Sequence, residues 1–416
     1  MAQLSTLAIW TIALLSILGM LLRPRGISEA YWACSGALLL VFSGLLSWRQ
    51  AGHAIHVGLD VYLFLAGMMI LAELAREEGV FDWIANIAAR HANGSPRKLF
   101  ALVYIAGTMV TALLSNDATA VVLTPAVLAV VRRAKAGAKP YLLACAMIAN
   151  AASFIFPISN PANLVVFGAH MPSLLAWLRI FIGPSIASVV VTFICLRWLS
   201  RNGLRGAIEG HMAGLALTAE GHLALAGLLI SALALITASA LGWPLGAPTC
   251  VASVFALMIV AWRDRSIPLK VAKGVSWSVL PLVAGLFVIV EALQNAGMLR
   301  IALSGLRLLA QTSQWTAKLV SGFSVALLSN GMNNLPVGLM AGTALRHSGD
   351  TGIVGHALLL GVDLGPNLSV AGSLATILWL IALRRENVEI TAWEFFKTGL
   401  IVMPLALASS LLVLFR

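Results

Sequence analysis

The chain has 416 residues, of which 60% are hydrophobic and only 10% are charged. A soluble domain usually carries about 25% charged residues, so this composition excludes a soluble enzyme, a nucleic-acid-binding protein and a disordered scaffold. The net charge of +11 is accounted for by Lys and Arg, which accumulate in the cytoplasmic loops of membrane proteins. The composition therefore predicts a polytopic protein of the lipid bilayer without a nucleic-acid partner.

The predicted elements form four segments in chain order. They are N-terminal transmembrane helices (1–54), a first repeat (55–200) with a hairpin at 99–131 and a broken helix at 141–170, a central loop with linking helices (201–274), and a second repeat (275–416) with a hairpin at 319–345 and a broken helix at 353–383. The four cysteines are scattered singly, a pattern that predicts neither a metal site nor disulfides. We expect no cofactor.

Two stretches of the chain repeat each other. Residues 112–116 (Ala-Leu-Leu-Ser-Asn) recur unchanged as residues 326–330, which is an offset of 214 positions. Upstream of them, Glu73 matches Glu291 at an offset of 218. Matching blocks in the same order and at a nearly constant offset predict two homologous halves.

The charges that flank the two hairpins predict their orientation. The apolar run 99–131 is too short for two full spans of about 20 residues each, and basic residues flank both of its ends. A re-entrant hairpin that enters from the cytoplasm and returns to it keeps the basic residues at both of its ends on the cytoplasmic side. Its copy, 319–345, is flanked only by Lys318 and Arg346, as expected for a hairpin from the other face. We predict an all-α polytopic membrane protein with two inverted-topology repeats, each with a re-entrant helical hairpin and a broken transmembrane helix.

The polar residues of these segments lie where each hairpin turns and where each helix breaks, beside Pro or Gly. Irregular backbone at membrane depth is tolerated only where it is buried in protein or lines a cavity, so these residues are candidates for binding a small polar solute. The candidates are Asn116, Thr119, Asn150, Ser153, Ser159, Asn160, Asn163, Asn330, Asn333, Asn334, Asn367, Ser369, Ser373 and Thr376.

Two carboxylates, Asp117 and Asp363, lie in these breaks without a basic residue beside them. An acid inside the membrane is costly and marks function by default, and burial favours its protonated form. We predict that both take part in proton coupling, and we expect no metal site. The repeat-related Glu73 and Glu291 have polar neighbours, which predicts positions near the membrane interface.

Four motifs of the two halves resemble the ArsB-type arsenite/antimonite permeases of the ion transporter superfamily, which also contains the divalent anion/sodium symporters. The motifs are residues 114–117 (Leu-Ser-Asn-Asp), 332–336 (Met-Asn-Asn-Leu-Pro), 361–367 (Gly-Val-Asp-Leu-Gly-Pro-Asn) and 372–376 (Gly-Ser-Leu-Ala-Thr). The resemblance implies secondary active efflux of arsenite and antimonite across the cytoplasmic (inner) membrane in exchange for protons. Some relatives also work with a cytoplasmic arsenite-stimulated ATPase.

Other transport modes stay open at this stage. The dicarboxylate symporters carry Ser-Asn-Thr at both hairpin tips, whereas these tips read Ser-Asn-Asp and Ser-Asn-Gly. An Asp beside the solute would repel a dianion, while neutral arsenous acid suits a ring of Asn, Ser and Thr. A sodium-coupled anion symporter, a sodium/proton antiporter, a channel and the membrane subunit of an ATP-driven pump are the alternatives. Motifs of intramembrane enzymes are absent from the sequence.

Overall fold

The computed structural model describes residues 2–209, 214–348 and 352–414. All the regular structure in these residues is helical. Five helices precede the first hairpin: α1 (Ala2–Leu22), α2 (Glu29–Phe42), α3 (Trp48–Val57), α4 (Leu59–Glu77) and α5 (Val80–Ala92). Since α5 begins directly after Gly79, the left-handed φ of +70° at this glycine redirects the chain at little steric cost.

The rest of the first half contains the hairpin and the first broken helix. Its helices are α6 (Pro96–Leu113), a π-helical turn (Ala118–Leu123), α7 (Thr124–Arg133), α8 (Lys139–Ala151), α9 (Pro161–Phe167) and α10 (Leu174–Leu199). The π-helical turn follows the hairpin tip, and such turns are frequent at functional sites. The chain between α8 and α9 is irregular apart from a short 3₁₀ turn.

The remaining ten helices include the second hairpin and the second broken helix. They are α11 (Ala219–Ala240), α12 (Gly246–Ala261), α13 (Ile267–Gly274), α14 (Val279–Asn295), α15 (Met298–Ala310), α16 (Gln314–Met332), α17 (Asn334–Ser348), α18 (Ile353–Leu364), α19 (Leu374–Arg385) and α20 (Ala392–Leu412). Helices α16 and α17 form the second hairpin, and two 3₁₀ turns separate α18 from α19.

Several helices are long and apolar enough to cross a membrane. Among the described residues these are α1, α10, α11 and α20. The pairs α3–α4 and α13–α14 are bent by 49° and 40° at short breaks, and they bring the number to six when each pair counts as one span. The fold is that of a multi-pass, all-helical membrane protein.

Repeat-related residues make the same local structures in both halves. Ser95 caps the first helix of hairpin one by accepting a hydrogen bond from the Lys98 amide, and Ser313 caps α16 by accepting one from the Thr316 amide. A side-chain oxygen at this position satisfies an amide that the helix itself leaves unpaired. The two hairpins therefore begin in the same way.

Glycines let the helices of the core approach closely. A Cβ atom at Gly67 would lie 2.8 Å from the backbone of Thr249, and one at the repeat-related Gly285 would lie 2.8 Å from the backbone of Ala33. Small residues permit this close packing between helices in membranes. The same glycine pair therefore packs α4 against α12 and α14 against α2.

Candidate functional site

The two hairpin tips and the two helix breaks meet at one small pocket inside the fold. The pocket is lined by Leu65, Asn116, Asp117, Asn160, Pro161, Val279, Asn334, Leu335, Ser373 and Leu374. A neighbouring cleft shares Asp117, Pro161 and Leu374 with this pocket. No Lys or Arg lines either cavity in the part of the chain that the structure describes.

The first hairpin tip is held by its own short side chains. The Asp117 amide donates to Asn116 Oδ1 at 2.9 Å, and the Ala118 amide donates to Ser115 Oγ at 3.2 Å. These bonds satisfy amides at the start of the π-helical turn, as helix capping does. The Asp117 carboxylate, half-buried, is left to line the pocket.

The second hairpin tip turns at Asn333, whose φ of +73° is unusual for a residue other than glycine. Asn330, one turn earlier, donates to the carbonyls of Ala326 at 2.7 Å and Gly365 at 2.9 Å, and accepts from the Ser369 hydroxyl at 2.6 Å. Its hydrogen bonds thus fasten α16 to the second break.

A fully buried polar network lies behind the pocket. Asp363 is completely buried at the end of α18, and its Oδ1 accepts a 2.7 Å hydrogen bond from Asn160 Nδ2. Asn150 Nδ2 donates to Asn367 Oδ1 at 3.0 Å, which joins the two broken helices directly. Asn163 Nδ2 donates to the carbonyl of Ser153 at 2.9 Å.

Three acceptor atoms of this network have no hydrogen-bond partner among the described residues. They are Asn150 Oδ1, Asn163 Oδ1 and Asp363 Oδ2. The Ser153 hydroxyl lies beside Asp363, but it donates to the Asn150 carbonyl at 2.7 Å. Because buried polar atoms are normally paired, the network lacks donors. A proton on the Asp363 carboxylate would supply one.

Asn160 connects the buried network to the pocket. Its side chain lines the pocket, donates to Asp363, and accepts from the Ala162 amide at 3.0 Å as the cap of α9. Ser373, which aligns with Asn160 at an offset of 213, caps α19 in the same way through the Ala375 amide. The two caps therefore face the same pocket from opposite halves.

The structure distributes the predicted site residues over three environments. Asn116, Asp117, Asn160, Asn334 and Ser373 line the pocket, and Asn150, Ser153, Asn163, Asp363 and Asn367 form the buried network. Thr119, Ser159, Asn330, Asn333, Ser369 and Thr376 make hydrogen bonds that hold the breaks in shape. The last group supports the site and does not line the pocket.

Three further polar residues line the cleft beside Asp117 although they are not among the predicted site residues. They are Glu73 on α4, Ser115 at the hairpin tip and Ser276 between α13 and α14. The repeat match between Glu73 and Glu291 is a signal that could have drawn attention to Glu73. Among the described residues, no group of three or more His, Cys, Asp or Glu side chains is placed to hold a metal ion.

The chain was compared with known protein families. The family described as CitMHS, citrate transporter, matches residues 7–362. The chain belongs to this family. This CitMHS chain is therefore a transporter and not an enzyme, and its irregular polar breaks are of the kind that transporters use for binding.

Curated relatives of this CitMHS chain carry a more specific description. It is 30% identical over 407 residues to an arsenical pump membrane protein of Escherichia coli, and 30% identical over 409 residues to the one of strain K12. Each alignment covers 94% of both chains. The resemblance to the arsenite permeases is thereby confirmed.

A solved structure shares the fold. The crystal structure of the Alcanivorax borkumensis YdaH transporter, described as having an unusual topology, matches with a TM-score of 0.57. The match covers 88% of this chain and 86% of the other at 14% sequence identity. This likeness supports the helical membrane fold that the composition predicts.

Proposed function

We propose that this chain exports trivalent arsenite and antimonite across the cytoplasmic membrane in exchange for protons. The observation that carries the proposal is a pocket whose polar lining is three Asn amides, one Ser hydroxyl and one carboxylate, with no cationic residue among the described residues that line it. The arsenical pump membrane proteins, 30% identical over nearly the whole length, support the choice of solute.

The charge of the pocket favours a neutral solute over the citrate in the family's description. A citrate anion would need cations to replace its hydration, whereas the pocket contains Asp117. Arsenous acid is a neutral trihydroxide at neutral pH. Its hydroxyls can donate to Asp117 and can accept from amides such as that of Asn116. The described cysteines are all free thiols at separate positions, so trapping by clustered thiolates does not enter the proposal.

We base the proposed exchange of solute for protons on carboxylate oxygens that both the solute and the proton can bind. When Asp117 is ionised it accepts hydrogen bonds from the solute, and when it is protonated it loses much of this affinity. A change at Asn160 reaches Asp363 directly through their 2.7 Å hydrogen bond. Solute and proton thus compete for the same groups, which couples their movements in opposite directions.

Alternating access would complete the cycle. In the proposed topology the two hairpins enter from opposite faces, and their tips meet at the pocket. Movement of the hairpins and broken helices relative to α4 and α14, which line the other side of the pocket with Leu65 and Val279, would expose it to each side in turn.

The experiment is arsenite uptake into everted membrane vesicles with an imposed proton gradient and without sodium. We expect accumulation that collapses when an uncoupler is added. Accumulation that requires sodium would replace the proton by sodium as the coupling ion. Accumulation that requires ATP and a cytoplasmic ATPase would make the chain a pump subunit, and equilibration without accumulation would make it a channel.

A further inference from the structure

The cleft beside Asp117 contains a second acid that the proposed exchange does not use. Glu73 is only 7% exposed, although Arg76 and Glu77 follow it within about one turn of the same helix. It lines the same cleft as Ser115 and Asp117. One wall of this cleft comes from α4 and the α13–α14 segment, and the other comes from the first hairpin, α9 and α19.

The fold makes specific room for this carboxylate. A Cβ atom at Gly274, the last residue of α13, would lie only 1.5 Å from Glu73 Oε1. Any other residue at this position would displace the Glu73 side chain. The carboxylate therefore sits in a space that a glycine some 200 positions away in the sequence leaves open.

Pairing with a cation does not by itself explain why Glu73 is buried. Arg76 bonds both carboxylate oxygens of Glu73, with Nε to Oε2 at 2.9 Å, and it also pairs with Glu77 at 2.7 Å. The Arg76 side chain is 49% exposed. Arg76 would thus keep an acidic partner at the surface without Glu73, whereas Glu73 also lines the cleft.

The acids at and near the cleft differ in their exposure. The Glu77 side chain is 24% exposed and that of Glu73 is 9% exposed. Asp117 is half-buried and lines the same cleft as Glu73, and Asp363, behind Asn160, is fully buried. On α13, Lys273 beside Gly274 is exposed, and Lys270 pairs with Asp264.

We propose that Glu73 transfers protons between Asp117 and the water at the Arg76 end of the cleft. The inference rests on the proposed exchange. Through water in the cleft, an O–H bond of the Asp117 carboxylic acid breaks as one forms on Glu73, and Glu73 then releases a proton to the water outside. Arg76 stabilises the ionised Glu73 that remains. Basic residues around α13 place this end at the cytoplasmic side by the positive-inside rule.

The test compares Glu73→Gln with Glu77→Gln as its matched control. Both changes remove an acidic partner of Arg76, but only Glu73 lines the cleft. Two rates are measured in everted vesicles, normalised to the amount of folded protein: arsenite uptake driven by a proton gradient, and exchange of labelled for unlabelled arsenite without a gradient. The second rate requires no net proton transfer.

We expect Glu73→Gln to slow gradient-driven uptake about tenfold, since proton transfer by a positioned side chain is worth this much or more. Exchange of labelled for unlabelled arsenite should stay within about twofold of wild type on the same reasoning. Glu77→Gln should leave both rates unchanged. Equal loss of both rates in Glu73→Gln would show a structural role, and no loss of either would also overturn the inference.

Arg76→Gln provides a second variant that keeps the acid. Without Arg76, the Glu73 carboxylate loses the cation that bonds both of its oxygens, so the pH profile of gradient-driven uptake should move. An unmoved profile would contradict a proton-transfer role for Glu73. If wild-type uptake proves independent of the proton gradient, the proposed exchange itself fails, and this result is distinct from either variant's behaviour.

Discussion

The two hairpin tips come from the same repeated pattern, but they present different chemistry to the pocket. At the first tip, Ser115 and Asn116 cap backbone amides and leave the Asp117 carboxylate facing the pocket. At the second tip, Asn330 uses its amide to bind backbone carbonyls, and the neutral Asn334 lines the pocket instead.

The two helix breaks show the opposite asymmetry. Asn150 ends the first half-helix near the break, and its repeat equivalent in the second half is Asp363. Each half thus supplies one acid, at a different element and a different depth: Asp117 faces the pocket and Asp363 is fully buried. The two halves therefore present two acids that are not equivalent, and in the proposed exchange their different access to the solute would separate solute binding from proton storage.

The largest expected effect comes from making the first tip as neutral as the second. Asp117→Asn removes the only charge that the described residues contribute to the pocket lining. We expect proton-driven arsenite uptake to fall by about 100-fold or more, because loss of a proton-transferring group typically costs this much. Uptake into everted vesicles measures it. Asp82→Asn, at an exposed position on α5, is the control that should keep wild-type uptake, and undiminished uptake by Asp117→Asn would contradict its coupling role.

A second change acts on the buried acid through its neighbour. Asn160→Ala removes the 2.7 Å hydrogen bond to Asp363 Oδ1, which favours the protonated carboxyl group because a donor to the charged form is lost. Proton release then requires a lower proton concentration, so the pH profile of uptake should shift to higher pH.

The pH profile of uptake should distinguish a change in the protonation of Asp363 from a loss of arsenite binding at the pocket. Asp363→Asn, which cannot titrate, should flatten the profile and lower gradient-driven uptake by about tenfold. Asn202→Ala, in an exposed loop, should leave the profile in place. A profile that Asn160→Ala does not move would mean that Asp363 is not linked to the pocket.

The helical membrane fold was predictable because a chain with so many apolar and so few charged residues is stable in a lipid bilayer and not in water. The breaks were also visible, since Pro, Gly and Asn interrupt apolar runs at symmetric positions. The segment bounds and the inverted orientation of the repeats stay predictions.

The partners of the polar residues could not be predicted in the same way. Asn160 and Asp363 are separated by 203 positions, and nothing in either motif indicates their hydrogen bond. The sequence shows that Asn330 is polar, but not that backbone carbonyls occupy its amide. The burial of Glu73 depends on the missing side chain of Gly274. Residue type indicates a site, whereas the role of each residue depends on contacts between distant segments.

A third change tests the packing that holds the second break beside its hairpin. A Cβ atom at Gly361 would lie 2.3 Å from the carbonyl oxygen of Gly322, whereas one at Gly331 would meet nothing within 4 Å. Gly361→Ala should lower the free energy of unfolding by about 1–3 kcal/mol, the usual cost of overpacking. Thermal unfolding in detergent measures this loss. Gly331→Ala is the matched control, and equal melting temperatures for the two variants would contradict the close contact.

The smallest expected effect concerns ion pairs that join the base of the first hairpin to the second half. Arg132 pairs with Glu386 at 2.9 Å, and Lys139 pairs with Glu394 at 2.7 Å, with all four side chains a third exposed or more. Exposed pairs contribute little, so Glu386→Gln with Glu394→Gln should lower the free energy of unfolding by less than about 1 kcal/mol. High salt should shrink the difference further, because it screens exposed charges.

Glu209→Gln is the control for this double variant, since it breaks an exposed pair with Lys135 that does not involve the second half. Similar small losses in both proteins would mean that joining the halves adds nothing to the value of a surface charge pair. The apolar and glycine-mediated contacts would then carry the association of the halves. If the double variant instead lost as much free energy of unfolding as Gly361→Ala, the conclusion would be reversed. Surface ion pairs would then hold the base of the hairpin against the second half.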